Sequence, residues 1–178
     1  MRFLLAILVI GSSLMSDGWA QKRASAKRTP TVVSMRSQAE GALTVSFANA
    51  SDGVPLSGTS TQRILDLGSA SYNGASGRNV SLTKFPGRFV VATRFGLSVQ
   101  DNSQHAGTAT ILAALLTPDP AFVFRVDGLT LAPIPQIIQP QAKIGTVSQH
   151  KLEIEVPSSV TEKGSRISNA IIFQVIAN

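Results

Sequence analysis

The chain has 178 residues, no cysteine and a formal net charge of +6. The absence of cysteine excludes disulfides, thiolate metal sites and a cysteine nucleophile, so the core and the hydrogen-bonded ladders must hold the fold. The charge is uneven: residues 21–36 carry five basic residues and no acidic one, whereas ten basic and nine acidic residues follow from Ser37 onward. The folded body is therefore close to neutral, and the high pI belongs to a basic tail.

Residues 1–20 have the pattern of a secretory signal peptide. Arg2 supplies a positive charge, residues 3–10 (FLLAILVI) form an unbroken apolar run, and Gly18 and Ala20 place small residues at a cleavage site. The apolar run is far shorter than the roughly 20 residues that span a bilayer. We therefore expect an exported protein, in the periplasm, at the cell surface or outside the cell, with no transmembrane segment in the mature chain. An exported domain without disulfides favours a bacterial source.

Residues 21–40 are predicted to form a basic, disordered extension that precedes a single domain over residues 41–178. The extension begins with polar and basic residues, which is typical of disorder. Its later part, residues 31–37 (TVVSMRS), is compatible with a short strand. The basic residues suit contact with an anionic envelope surface, and nucleic acid is not an expected partner of an exported protein.

The domain is predicted to consist of short β-strands. The clearest is residues 88–100 (RFVVATRFGLSVQ), where apolar side chains occupy alternate positions and only Thr93 interrupts them. The hydroxyl of Thr93 needs a hydrogen-bond partner, or the strand lies at an edge there. Residues 108–116 are apolar on both sides and are expected to be buried on both faces. Further strands are predicted at residues 42–48, 64–67, 79–84, 121–126, 151–156 and 170–177.

Turn residues separate these segments. Residues 49–61 contain Asp52-Gly53 and Pro55 and are predicted to lack a regular element. Asp127-Gly128 predicts a hairpin turn, and three prolines around residues 136–138 predict an irregular edge segment. About nine or ten strands without a convincing helix predict an all-β fold, a two-layer antiparallel immunoglobulin-like sandwich rather than a barrel.

The search for catalytic residues mostly finds absences. His105, in a loop, and His150, beside a strand start, lack the neighbouring ligands of a metal site and are expected at the surface. A Ser/His/Asp set with His105 and Asp101 is possible in any serine-rich chain. Glu153 and Glu155 share one side of a strand, as a solvated face does. We predict no catalytic, cofactor-binding or metal-binding residue, and no cofactor.

The signal peptide, the polar extension, the alternating strands and the C-terminal strand SNAIIFQVIAN together resemble exported bacterial β-sandwich subunits of the fimbrial and spore-coat-U type. The resemblance implies self-assembly by strand addition, or capping by a periplasmic chaperone. It also implies which segments take part. The assembly strand would contain Val32, Val33 and Met35, and the acceptor or closing strand would contain Ile171, Phe173 and Val175.

Three functions follow from these observations. The first is an exported structural or adhesive surface subunit, pilus-like or coat-like, non-catalytic and assembling by strand addition. The alternative is a small periplasmic or secreted ligand-binding sandwich that holds its ligand in the loops at Asp101 to Gly107 or Gly68 to Gly77. The third is a secreted hydrolase, in which His105 or His150 would meet a carboxylate beside a pocket.

Overall fold

Alternating side chains organise this chain into thirteen β-strands and one short helix within the residues that the computed structural model describes, namely 29–59, 61–103, 107–163 and 166–178. The predicted signal peptide, residues 21–28 of the predicted extension, and His105 lie outside the described residues. The first seven strands are β1 (Thr29–Gln38), β2 (Leu43–Ala48), β3 (Leu56–Gly58), β4 (Gln62–Ser71), β5 (Gly74–Ala75), β6 (Ser81–Phe85) and β7 (Arg88–Asp101). The others are β8 (Thr108–Leu115), β9 (Val123–Val126), β10 (Leu129–Thr130), β11 (Gln136–Lys143), β12 (Val147–Pro157) and β13 (Ile167–Ala177), with helix α1 (Ser158–Lys163) before β13.

The strands form two sheets that pack face to face. Sheet 1 has the order β11-β8-β13-β1-β4-β3, and β5 pairs with β4. Sheet 2 has the order β10-β9-β12-β7-β2, and β6 pairs with β7. All pairings between named strands are antiparallel except that of β1 with β13. The predicted two-layer antiparallel β-sandwich is confirmed.

The long strand β7 lies at the centre of sheet 2. It pairs along residues 88–98 with β12, while its other side pairs first with β6 and then with β2. Thr93 lies between the part of β7 that pairs with β6 and the part that pairs with β2. Its hydroxyl accepts a hydrogen bond from Val54 N (3.1 Å) and donates one to Asn79 O (3.1 Å). The partner predicted for Thr93 is therefore present. The loop that supplies Val54 crosses β7 so closely that a Cβ on Gly53 would lie 2.0 Å from Arg94 O.

The core lies between the inner sides of the two sheets. Phe173 of sheet 1 contacts Phe47 and Phe95 of sheet 2, with ring centroids 5.5 Å and 5.7 Å apart. These edge-to-face contacts suit aromatic quadrupoles and join the two layers. Every apolar side chain predicted on the inner side of residues 88–100 is fully buried.

The predicted extension ends earlier than expected, because residues 29–38 form β1. Thr31, Val33 and Met35 alternate on the inner side of the sheet and are fully buried. β1 lies between β13 and β4, so both of its edges are paired. A short apolar alternation suffices for a central strand because the two neighbouring strands complete its backbone hydrogen bonds. Residues 29–38 therefore belong to the domain.

Four other predictions differ in detail. Residues 56–58, placed in the turn-rich segment, form the short edge strand β3 beside β4. Residues 136–138 start a longer edge strand, β11, which accommodates Pro140 through two register shifts. The helix α1 was not predicted. β8 is buried on its inner side, whereas on its outer side Ala114 is buried but Thr110 and Leu112 are only half-buried.

Candidate functional site

The predicted assembly strand and the predicted closing strand lie side by side within one chain. Their parallel register places Val33 opposite Asn169 and Met35 opposite Ile171. Val33 and Met35 point into the core, as do Ile171, Phe173 and Val175, while Val32 is half-buried on the outer side. β1 therefore occupies the groove between β13 and β4 of its own domain.

The outer side of sheet 1 is apolar where β11, β8 and β13 meet. The register brings Ile137 beside Leu112 and Ile172 beside Ala114, and Leu116 donates its backbone N–H to Ala170 O. We call this surface the apolar outer face; it consists of Leu112, Ala114, Leu116, Ile137, Ala170, Ile172 and Ile176. Leu116, Ile137 and Ile176 are 50%, 57% and 42% exposed. Two polar side chains interrupt this face, because Gln174 lies opposite Leu112 and Thr110 lies opposite Ile176. Exposed apolar side chains grouped in this way are a candidate interaction site.

The outer side of sheet 2 is charged instead. Glu155 accepts hydrogen bonds from Arg88 and Arg125 at 2.9 Å each, and Lys151 contacts Glu153 at 2.6 Å. These ion pairs link β7, β12 and β9. The predicted solvated side of β12 thus holds carboxylates that are paired with cations and half-buried, with side-chain exposures of 21% for Glu153 and 16% for Glu155.

A second polar cluster consists of Ser148 and His150, which precede the part of β12 that pairs with β9, and Asp127 of the β9–β10 turn. The Oγ of Ser148 lies 2.9 Å from Nε2 of His150, and Nδ1 of His150 lies 2.7 Å from Oδ2 of Asp127. His150 is 4% exposed and packs against the ring of Phe95, with centroids 5.8 Å apart. The expectation that His150 lies at the surface is wrong, because the alternation of β12 turns it inward.

Two local features of the sequence build this cluster. Ser148 and His150 are two apart on β12, so both side chains point to the inner side. Asp127 begins the Asp-Gly turn between β9 and β10 with a φ of 51°, a left-handed conformation that Asp tolerates and this hairpin turn requires. The same carboxylate accepts the backbone N–H of Lys151 at 2.8 Å, which fixes the turn against β12.

The hydrogen bonds of the cluster indicate which ring nitrogen of His150 carries a hydrogen. Because the carboxylate of Asp127 is an acceptor, Nδ1 carries a hydrogen, and Nε2 can accept from Ser148 when the ring is neutral. The single hydrogen of the Ser148 hydroxyl has two further acceptors within reach, Oε1 of Gln139 on β11 at 2.8 Å and Leu97 O at 3.2 Å. The cluster therefore connects sheet 2 to the edge strand of sheet 1.

Sequence reasoning did not identify the members of this cluster. It expected a hydrolase to bring His105 or His150 to a carboxylate beside a pocket, but the one set that it named was His105 with Asp101, and residues 104–106 lie outside the described residues. The spacing Ser-x-His on a half-exposed strand was a usable signal, since it places both side chains on one face. Asp127 was recognised only as a turn residue, and its approach to β12 depends on the β9–β12 pairing, which no local pattern reveals.

One loop predicted for the ligand-binding alternative borders a pocket at the end of the sandwich. Its volume is about 460 Å³, and Asp101, Ser103 and Gly107 line it together with Leu43 and Ile144. Polar and apolar groups are both present, as in small-molecule sites. The other predicted loop, Gly68 to Gly77, contains the end of β4, the two-residue turn Tyr72-Asn73 and all of β5.

Within the described ranges, no three or more His, Asp or Glu side chains are grouped so as to hold a metal ion. No helix among these residues is long and apolar enough to cross a membrane. The chain matches no protein-family model, and no curated protein is similar to it in sequence.

Proposed function

We propose that this chain is an exported structural or adhesive subunit that assembles with copies of itself at the cell surface. The observation that carries the proposal is the contrast between the two outer sides of the sandwich. Sheet 2 presents paired charges, whereas sheet 1 presents the apolar outer face. Burying that face against another copy removes apolar surface from water, which favours association.

Strand addition has a narrower role in this proposal than the resemblance implies. β1 is paired on both edges, so its donation to a neighbour requires it to leave its own sheet. The free edges of sheet 1 are β11 and β3. Pro140 and the register shifts of β11 weaken it as a template for a further strand. Association of faces is therefore the primary contact that we propose.

The test is the oligomeric state of the purified chain, measured by size-exclusion chromatography with light scattering over a range of concentrations. We expect multimers of the wild-type chain and a shift toward monomer in Ile172→Lys, which places a charge at the centre of the apolar outer face. Thr83→Lys is the matched control, because it adds the same charge at an exposed strand position of sheet 2. A wild-type chain that is monomeric at every concentration contradicts the proposal.

The ligand-binding module remains the second candidate, favoured by the pocket beside Asp101. A screen of small sugars and amino acids by NMR would test it. We expect a ligand to shift the amide signals of Leu43 and Ser103 and to leave those of Glu153 and Glu155 unchanged. Shifts spread evenly over the molecule would argue against a site at this pocket.

A further inference from the structure

We infer that Ser148 is an activated nucleophile for acyl transfer, with His150 as its general base and Asp127 as the positioning residue. The ligand class that follows is a carboxylic ester. This inference goes beyond the proposed assembly, and it uses β12 and the β9–β10 turn of sheet 2 rather than the outer side of sheet 1.

The distances between the three side chains carry the inference. The nucleophile lies 2.9 Å from the base, and the base lies 2.7 Å from the carboxylate that orients it. Both distances fall within the hydrogen-bonding range that nucleophilic catalysis requires. The order of contacts is also productive, because Asp127 binds Nδ1 and leaves the lone pair of Nε2 directed at the hydroxyl.

The cluster is held in place from several sides. The backbone N–H of Lys151 fixes the carboxylate of Asp127 at 2.8 Å, and the ring of Phe95 packs against His150. Ser148 and His150 belong to a strand that is paired along its length with β7. Catalytic groups on a rigid strand do not need to be ordered at the moment of reaction.

The surroundings offer a donor and an opening. The side-chain amide of Gln139 lies 2.8 Å from the Ser148 hydroxyl, and rotation of that amide presents an N–H to an oxyanion formed there. A pocket of about 210 Å³ is lined by Asp127 and His150 of the cluster together with Arg94, Gln149 and Lys151, but not by Ser148.

The reaction needs no reagent other than the ester and water. The Oγ of Ser148 forms a bond to the acyl carbon of the ester while its proton moves to Nε2 of His150. The bond between the acyl carbon and the leaving oxygen then breaks, and the imidazolium returns the proton to the departing alcohol. Water, deprotonated by the same nitrogen, cleaves the acyl-serine and regenerates the hydroxyl.

A fluorophosphonate probe, which reacts covalently with activated serines, tests the inference on the intact full-length chain. Peptide mapping by mass spectrometry is expected to find the adduct on Ser148, and Ser148→Ala is expected to abolish it. His150→Asn keeps a donor toward Asp127 but removes the base, so the labelling rate is expected to fall at least about 100-fold. Ser81→Ala is the matched control and leaves labelling unchanged, since the Ser81 hydroxyl contacts a backbone carbonyl, Ala92 O.

The role of Asp127 needs a readout that a merely structural residue would not change. The hydrogen on Nδ1 of His150 is expected to give a far-downfield proton resonance that disappears in Asp127→Asn. Thermal unfolding identifies variants that fail to fold. The labelling of Ser148 in the wild-type chain tests the inference without any variant. Labelling of wild-type Ser148 no faster than that of other serines overturns the inference, as does equal labelling in a folded His150→Asn chain. Because this test does not depend on oligomeric state, its failure is separate from a failure of the proposed assembly.

Discussion

Thr93 illustrates how a single polar residue on an inner strand face is accommodated. Its side chain is 4% exposed and stands among fully buried apolar neighbours, where a hydroxyl without partners would cost stability. The hydroxyl bonds to Val54 N and Asn79 O, which are 39 and 14 residues away in the sequence. Thr93 thus joins two loops to the central strand of sheet 2 at the point where the pairing partner changes.

Replacement of Thr93 by Val tests this role. The substitution preserves shape but leaves the Val54 N–H and the Asn79 carbonyl without their partner, so we expect the free energy of unfolding to fall by about 2 kcal/mol. Denaturant unfolding followed by circular dichroism measures the change. Thr83→Val, at an exposed position of β6 in the same sheet, should change stability by less than about 0.5 kcal/mol. Equal effects of the two substitutions would show that the hydrogen bonds of Thr93 contribute nothing specific.

The need for a partner at Thr93 was visible in the sequence, but the identity of the partner was not. A period of two reveals which side of a strand is buried, because the side chains alternate. It carries no information about which loop folds over that strand. The same limit applies to Asp127, whose turn was predicted while its contact with His150 was not.

At the scale of elements, β1 shows that a local sequence pattern does not determine long-range strand pairing. Residues 31–37 alternate too briefly to separate a central strand from a disordered tail on composition alone. Their order comes from contacts with β13, more than 130 residues later, and with β4. The strands at β7, β12 and β13 were predictable, since their apolar alternation is long enough to identify them without knowing their neighbours.

Met35 provides the test of β1 as a central strand. Met35 is fully buried, so Met35→Ala should lower the free energy of unfolding by about 3 kcal/mol through lost contacts and the cavity that remains. Val32→Ala, on the outer side of the same strand, should cost less than about 1 kcal/mol. Denaturant unfolding measures both. Similar small effects would mean that β1 does not stay in its own sheet in solution, which would favour donation of this strand to another copy.

At the scale of the whole molecule, the sandwich has two outer sides of different character. The composition of residues 108–116 indicated burial on both faces, but among the described residues the outer side of β8 ranges from exposed at Thr108 to buried at Ala114. The core of a single copy therefore does not account for the apolar side chains on the outer sides of β8 and β13. The second copy that we propose against sheet 1 would cover these side chains, since sheet-on-sheet packing buries such faces in the same way as the core.

Truncation separates the contribution of the basic residues from that of β1. We expect a chain that begins at Thr29 to keep the unfolding midpoint and the oligomeric state of a chain that begins at Gln21, because residues 21–28 precede every strand that the structure describes. A chain that begins at Gly41 lacks β1, so β13 and β4 become unpaired edges. Buried residues such as Leu65 and Phe173 then lose their cover, and aggregation is the expected result.

The decisive control for this truncation is a synthetic peptide of residues 29–38 added to the chain that begins at Gly41. Because the groove between β13 and β4 is specific in register, the peptide should bind it and restore a cooperative unfolding transition, whereas a peptide with Val33 and Met35 replaced by Ser should not. Calorimetry and size-exclusion chromatography measure the two effects. A chain from Gly41 that is folded and monomeric without the peptide would contradict the central position of β1. If removal of residues 21–28 alone abolished the multimers, the assembly contact would lie in the basic tail and not in the apolar outer face.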